Sequence, residues 1–174
     1  MQEALQLQTA VPGDDWLQQV MVERYADLLR LAFLILHDST DAEDATQLAL
    51  ERAWRSRTQL RSTEGAIYWL RRIVVREALR ARSSRWRAPR SPVHIVEIEP
   101  IDDRAGPDAA PAERLDVLRA FEHLPADQSA AVVLHHYLDY PIAEVAEMLG
   151  VPLETVRSRL RLAMKRLREE LRDE

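Results

Sequence analysis

Residues 141–171 read PIAEVAEMLGVPLETVRSRLRLAMKRLREEL, and their spacing decides what kind of fold this chain builds. Ile142, Val145, Ala146 and Leu149 recur at intervals of three and four, which puts them on one face of a short helix. Gly150 follows where a helix can end in a left-handed residue, and Pro152 stands where a new helix starts. In that second helix Val156, Leu160, Ala163 and Leu167 share one side, leaving Glu154, Arg157, Ser158, Arg161 and Lys165 on the other. This is the spacing of a helix-turn-helix, with small Ala146 permitting close approach of the second helix. Such a helix can lie in a DNA major groove, its N-terminal half on base edges and its later Arg and Lys on phosphates. A plain helical hairpin would satisfy Gly150 and Pro152 equally well; the basic outer side favours DNA.

Composition extends the helical reading to the whole chain. The 174 residues are 47% apolar but only 6% aromatic, Gly is reduced to 4 copies, and Ala, Leu, Arg and Glu dominate. That mixture favours helix over strand, so an all-α protein is expected. The absence of cysteine excludes a disulfide framework, a thiolate metal site and a Cys nucleophile, and is compatible with a reducing cytosol. The N-terminal MQEALQLQTAVPGDD has no basic stretch followed by an apolar one, and no run approaches the roughly 18 apolar residues of a membrane span. Neither export nor direct membrane insertion is indicated, and a cytoplasmic location is the expectation.

A net charge of −5 argues at first against a nucleic-acid partner, but the average hides a pattern. Residues 1–51 carry two Arg against ten acids, and residues 52–90 carry twelve Arg against two. Residues 91–147 return to acid, with three Arg against twelve, and residues 148–174 hold seven basic and five acidic groups. Two basic segments therefore alternate with two acidic ones. At physiological salt the screening length is about 8 Å, so a duplex meets the local field and not the sum.

One break divides the chain. Five of the nine prolines fall between Pro89 and Pro111, where no helical period survives. Structureless loops beyond about 12–15 residues are uncommon inside a compact domain, so residues 89–111 read as an interdomain linker. Before it, Asp15 with Gln18 and Thr40 with Glu43 have capping-box spacing and predict helix starts, the first helix running to about His37. The dense apolar run from Leu28 to Leu36 predicts burial on nearly all sides, at the centre of the first core. A third helix from about Glu64 to Trp86 has Ile67, Leu70, Val74, Ala78 and Ala81 on one face. Trp69, Arg72, Arg76 and Arg80 fall opposite, with Arg82, Arg85 and Arg87 continuing the charge. Arginines neutralise phosphates and read guanine edges, and an indole can stack on an unpaired base. A solvated basic face with a docked Trp is the plainer reading of the same pattern.

DAEDATQLALERAW at 41–54, IYWLRRIVVREALR at 67–80 and LPADQSAAVVLHHYLDYPIAEVAEMLGVPLETVRSRLRLAMKRL at 124–167 together resemble an extracytoplasmic-function (group IV) RNA polymerase sigma factor of the sigma-70 family. The resemblance implies a flexible N-terminus at 1–14, domain two at 15–88, the linker, and domain four at 112–174. It implies that Asp41, Glu43, Asp44, Gln47 and Arg52 dock on core RNA polymerase, with Trp54 serving packing more than contact. It further implies that the loop Arg57–Gly65, with Arg61, Ser62 and Thr63, and the helix bearing Trp69, Arg72, Arg76 and Arg80 meet the minus-ten element. There a base is captured after strand opening, and extruding it costs a few kcal/mol that the pocket must return. Glu154, Thr155, Arg157, Ser158, Arg161 and Lys165 would read the minus-thirty-five element of the promoter DNA. An anti-sigma factor that covers these surfaces is the further partner implied. Three positions depart from the family pattern: Leu48 where an acid is usual, Arg76 where Asn is common, and Arg80 in place of a later Asp.

No cofactor and no small-molecule substrate is expected. Adjacent His135 and His136 on a helix would not share a face as two metal ligands at i and i+4 do, so no metal site is proposed. No Gly-rich phosphate loop, nucleophile triad or supported carboxylate pair is present in the sequence, so no catalytic activity is expected. Two other classes stay open: a stand-alone helix-turn-helix regulator that does not bind polymerase, and a helical adaptor that binds only proteins.

Overall fold

The computed structural model describes residues 14–60, 65–85 and 118–172, and all regular structure among them is helical. Helix α1 spans Asp14–Leu36, α2 Ser39–Arg55 and α3 Ala66–Arg85. Later in the chain, a short helix at 118–122 (α4) precedes α5 at Ala126–Val132, a π-helical turn at Val133–Tyr137, α6 at Ile142–Leu149 and α7 at Leu153–Glu170. Glu64, Trp86 and the Pro89–Pro111 segment lie outside the described residues.

Helix α1 stops one residue before the expected His37, because His37 takes a left-handed backbone with φ 58° while its amide still reaches the Phe33 carbonyl at 2.8 Å. A non-glycine residue there costs on the order of 1–2 kcal/mol. Contacts of its ring with Ser129 Oγ at 3.2 Å and edge-on with Phe121 offset that cost. The reversal delivers the chain to α2, whose cap is not the Thr40 of the expected capping box. Asp38 has extended backbone, φ −142°, and its carboxylate accepts from the Asp41 amide at 2.9 Å, so Thr40 is already inside the helix. An ionised carboxylate satisfies the orphan amide and also meets the positive end of the helix dipole, which a threonine hydroxyl cannot do.

Helix α2 buries a stripe of small residues, Ala42, Ala45, Thr46, Ala49 and Ala53, and so lies close against α1 and α3. The Thr46 hydroxyl, fully buried, donates to the Ala42 carbonyl at 2.7 Å. Leu28, Leu31, Ile35, Leu70, Val74, Val75 and Ala78 fill the space between α1 and α3 and its surroundings. Each large side chain so buried is worth roughly 1.5–3 kcal/mol relative to exposure. The expected face of α3 is correct at Leu70, Val74 and Ala78, while Ile67 and Ala81 are half-buried at its margin.

Helix α5 is buried along nearly its whole length, from Ala126 to Val132, including Gln128 and Ser129. It packs on α7 on one side and on α1 and α3 on the other. The two helical groups are therefore seated directly on each other and share a continuous buried cluster from Leu17 to Leu167. In α6 Val145 and Met148 are the fully buried residues; Ile142, Ala146 and Leu149, expected on that face, are half-buried around them.

Candidate nucleic-acid interface

The turn between α6 and α7 is built by backbone hydrogen bonds that only a left-handed residue permits. Gly150 takes φ 67°, its amide donates to Glu147 O at 3.2 Å, and the Val151 amide reaches back to Ala146 O at 3.1 Å. This pair of bonds closes the end of α6, and Pro152 then opens α7. Val156, Leu160, Ala163 and Leu167 are buried, which fixes the rotation of α7 about its axis. Consequently Glu154, Arg157, Arg161 and Lys165 are exposed, and Thr155 and Ser158 are half-exposed beside them. Arg157 pairs with Glu154 one turn earlier, and Lys165 stands 3.7 Å from Glu169. Surface pairs of this kind are worth little and exchange readily for phosphate. Two further cations of α7 reach toward α5: Arg159 holds Asp127 at 3.0 Å and Arg166 donates to Gln128 Oε1 at 3.3 Å.

The second basic segment lies on α3. Arg80 is largely exposed and pairs with Glu77 at 2.6 Å, and Arg52 of α2 reaches the same carboxylate at 2.8 Å. Glu77 is buried, so two guanidiniums from two helices neutralise one carboxylate at the edge of the core. Trp69 is half-buried and packs against the core cluster. Arg72 and Arg76 are turned onto α6. Arg72 meets Glu147 at 3.0 Å with its side chain 30% exposed, and Arg76 Nε donates to the Met148 carbonyl at 3.3 Å. Beside them Arg71 donates to the Tyr140 hydroxyl at 2.9 Å, and Tyr68 packs edge-on against the Tyr140 ring at 5.7 Å. Burial first, and then the neighbouring Arg72 and Arg80 charges, lower the Arg76 guanidinium from its ordinary value. Burial first, and then Glu147 and Glu144, raise the Tyr68 phenol.

A third surface runs along α2, where Glu43, Asp44, Gln47 and Leu48 are exposed and Glu51 pairs with Arg55 at 3.2 Å. Asp41 is half-buried at the helix start, and Arg52 is directed to Glu77. Leu48 is 49% exposed, an apolar side chain in an acidic surround. Trp54 is also exposed, with the Arg57 guanidinium 4.7 Å above its ring, a cation–π contact. Arg61, Ser62 and Thr63 lie outside the described residues.

The adjacent histidines stand in the π turn. Their ring centroids are 4.7 Å apart, and His135 Nδ1 lies 2.9 Å from the Tyr140 carbonyl. Burial first, and then the His135 neighbour, lower the His136 imidazole below its ordinary value. No group of three or more metal-ligating side chains occurs among the described residues. Sequence reasoning did not single out Glu77, Arg71, Tyr140 or Glu147. For Glu77 the signal was present, since it precedes Ala78 on the inward arc of α3 with Arg80 one turn on.

Comparison with known proteins agrees with this geometry. A family model for Sigma-70 region 2 matches residues 21–88, and one for Sigma-70, region 4 matches residues 114–167. The chain is 36% identical over 158 residues to the ECF RNA polymerase sigma factor SigM of Mycobacterium tuberculosis, covering 90% of this chain and 78% of that protein. It is 34% identical over 147 residues to the RNA polymerase sigma-E factor of Streptomyces coelicolor, covering 83% and 79%. Among solved structures it resembles the sigma factor RpoE of Bartonella quintana, crystallised in complex with the anti-sigma factor NepR. The TM-score is 0.67 at 23% identity, over 91% of this chain and 98% of that one, a likeness of fold.

Proposed function

The chain belongs to the extracytoplasmic-function RNA polymerase sigma factors, and from that premise we propose how its surfaces divide the work of promoter recognition. Residues 15–88 form the unit that binds core polymerase and the minus-ten element, residues 112–174 the unit that reads the minus-thirty-five element, and residues 89–111 the linker between them. The acidic side of α2, with Asp41, Glu43, Asp44 and Gln47, docks on the polymerase clamp, and Arg52 supports it through Glu77. Leu48 adds an apolar contact at a place where charge is usual.

The observation that carries the DNA reading is the rotation of α7. Its apolar side is buried against its own unit, so Arg157, Arg161 and Lys165 face outward beyond Glu154, Thr155 and Ser158. Polar side chains at the start of the helix suit base edges, and cations further along suit phosphates. On α3, Trp69, Arg72, Arg76 and Arg80, with Arg61, Ser62 and Thr63, meet the minus-ten element once the strands open. The chain contributes no catalysis of its own and works in the cytoplasm, where polymerase is. An anti-sigma factor holds it inactive, a reading supported by the fold shared with a sigma factor crystallised with such a partner.

Run-off transcription with core polymerase tests the proposal. Added chain should yield promoter-dependent transcripts, and reversing charge at Arg157 and Arg161 should abolish them while leaving association with core enzyme intact. Tight duplex binding without any transcript would instead identify a stand-alone regulator.

A further inference from the structure

We propose that Glu77 is a positioning residue for two surfaces at once: touching neither polymerase nor DNA, its buried carboxylate holds Arg52 toward the one and Arg80 toward the other. The inference rests on the reading of α2 as the polymerase-facing helix and of α3 as the minus-ten helix. Only 5% of the Glu77 side chain is exposed, and a single oxygen, Oε1, meets Arg52 Nη1 of α2 at 2.8 Å and Arg80 Nη1 of its own helix at 2.6 Å. Small residues allow the meeting. Ala49 and Ala53 are buried along α2 and Ala78 along α3, so the two helices lie close enough for a side chain of one to reach a carboxylate rooted in the other. Glu77 is also the one charged residue that is buried among the described residues. Stability alone does not account for it, since replacing a buried ion pair by apolar side chains of similar volume is often neutral or stabilising.

A guanidinium carries a rigid fork of donors, and each of these two gives one nitrogen to Glu77. The side chains of Arg52 and Arg80 are nevertheless 50% and 60% exposed, so much of each fork faces outward. A long cation standing free in water samples many rotamers and must be ordered when a partner binds. Pinned from inside the core, Arg52 and Arg80 have been ordered beforehand. Two cations share one anion, so the cluster keeps a surplus positive charge, attractive to an acidic side chain of polymerase beside α2 and to a phosphate beside α3. Glu77 exerts its pull through protein and not through water, unlike the exposed acids that pair with Arg157 and Lys165 on α7. One carboxylate thereby sets the aim of a contact on each side of the unit.

The test compares Glu77→Gln, which keeps the shape and an accepting oxygen, with Glu77→Leu, which keeps the bulk and suits the core but accepts nothing. Biolayer interferometry measures the affinity of the full chain for core polymerase. Fluorescence anisotropy, at saturating chain, measures the affinity of the assembled complex for the run-off promoter opened by mismatches over the minus-ten element. Both affinities should fall about fivefold in Glu77→Leu and less in Glu77→Gln, whichever variant is the more stable in urea. The loss on polymerase should vanish in an Arg52→Ala background and the loss on DNA in an Arg80→Ala background, because Glu77 acts only through these two side chains. Binding of the free chain to random-sequence duplex, carried by α7, should not change. Losses of equal size with and without the arginines, a loss on one surface alone, or a matching loss of duplex binding would overturn the positioning role and leave the reading of the two helices standing. Should Arg52→Ala and Arg80→Ala themselves alter neither affinity, the arginines make no such contacts, and the proposal falls together with that reading.

Discussion

Replacing Gly150 by alanine isolates the cost of a single backbone conformation. Gly150 sits at φ 67°, ψ 37°, in the left-handed region. A side-chain carbon added there would meet nothing closer than an Arg76 nitrogen at 3.8 Å, an ordinary contact, so steric clash contributes nothing. What remains is the left-handed backbone, about 1–2 kcal/mol for an L-residue with a side chain. Alanine also stiffens the unfolded chain, which returns about 0.4–1 kcal/mol. The net loss is about 1 kcal/mol, or a fall in melting temperature of about 2–4 °C for a chain of this size. Urea denaturation followed by far-ultraviolet circular dichroism measures it, with Gly150→Asn losing less, since Asn tolerates this region, and β-branched Gly150→Val losing more. Alanine as stable as glycine, or the three substitutions indistinguishable, would show that the α6–α7 turn does not depend on a left-handed residue.

Three other substitutions probe separate parts of the molecule. Glu77→Ala removes a buried carboxylate shared by Arg52 and Arg80; both arginines are at least half exposed and turn to water, so the loss in urea stability is about 1.5–3 kcal/mol, smaller if Gln is substituted. Arg161→Ala should weaken duplex binding uniformly across sequences and reduce the slope of log affinity against log salt by about 0.9, the contribution of one phosphate contact, as titrations at several ionic strengths would reveal. His136 is lowered by burial, so as pH falls through about 6.5 the unfolded chain takes up the proton first and the folded state loses stability; His136→Gln should flatten that part of the stability–pH profile.

The helical class and the α6–α7 hairpin were legible because they rest on local rules: three- and four-residue periodicity, a glycine at a helix end, a proline at a helix start. The polar side of α7 was legible for the same reason, since Val156, Leu160, Ala163 and Leu167 leave only one rotation available. Asp38 was passed over for Thr40 because two candidate caps stood within one turn and sequence spacing does not rank a carboxylate against a hydroxyl. The partners of Arg72 and Arg76 could not be read at all. Glu147 lies 75 positions from Arg72, and nothing in the local pattern of α3 distinguishes an arginine facing water from one facing another helix. Glu77 shows the converse difficulty: a charge on an inward arc looks like an error of phase until the two guanidiniums that neutralise it are located.

The π turn at Val133–Tyr137 has a consequence for how this chain tolerates insertion and deletion. The Leu138 amide reaches Val133 O, five residues back, at 2.9 Å, so the turn holds one residue more than an α-helical register would. That extra residue is absorbed locally, so deleting one residue at this turn would let the segment wind as ordinary α-helix with little change of direction downstream. A one-residue deletion in the regular part of α5 has no such outlet and would swing everything downstream by about 100° about its axis. The α6–α7 hairpin would then point away from the line it now follows, although no residue of α7 had changed, so the π turn is the place in this stretch where the chain can lose a residue and keep its aim.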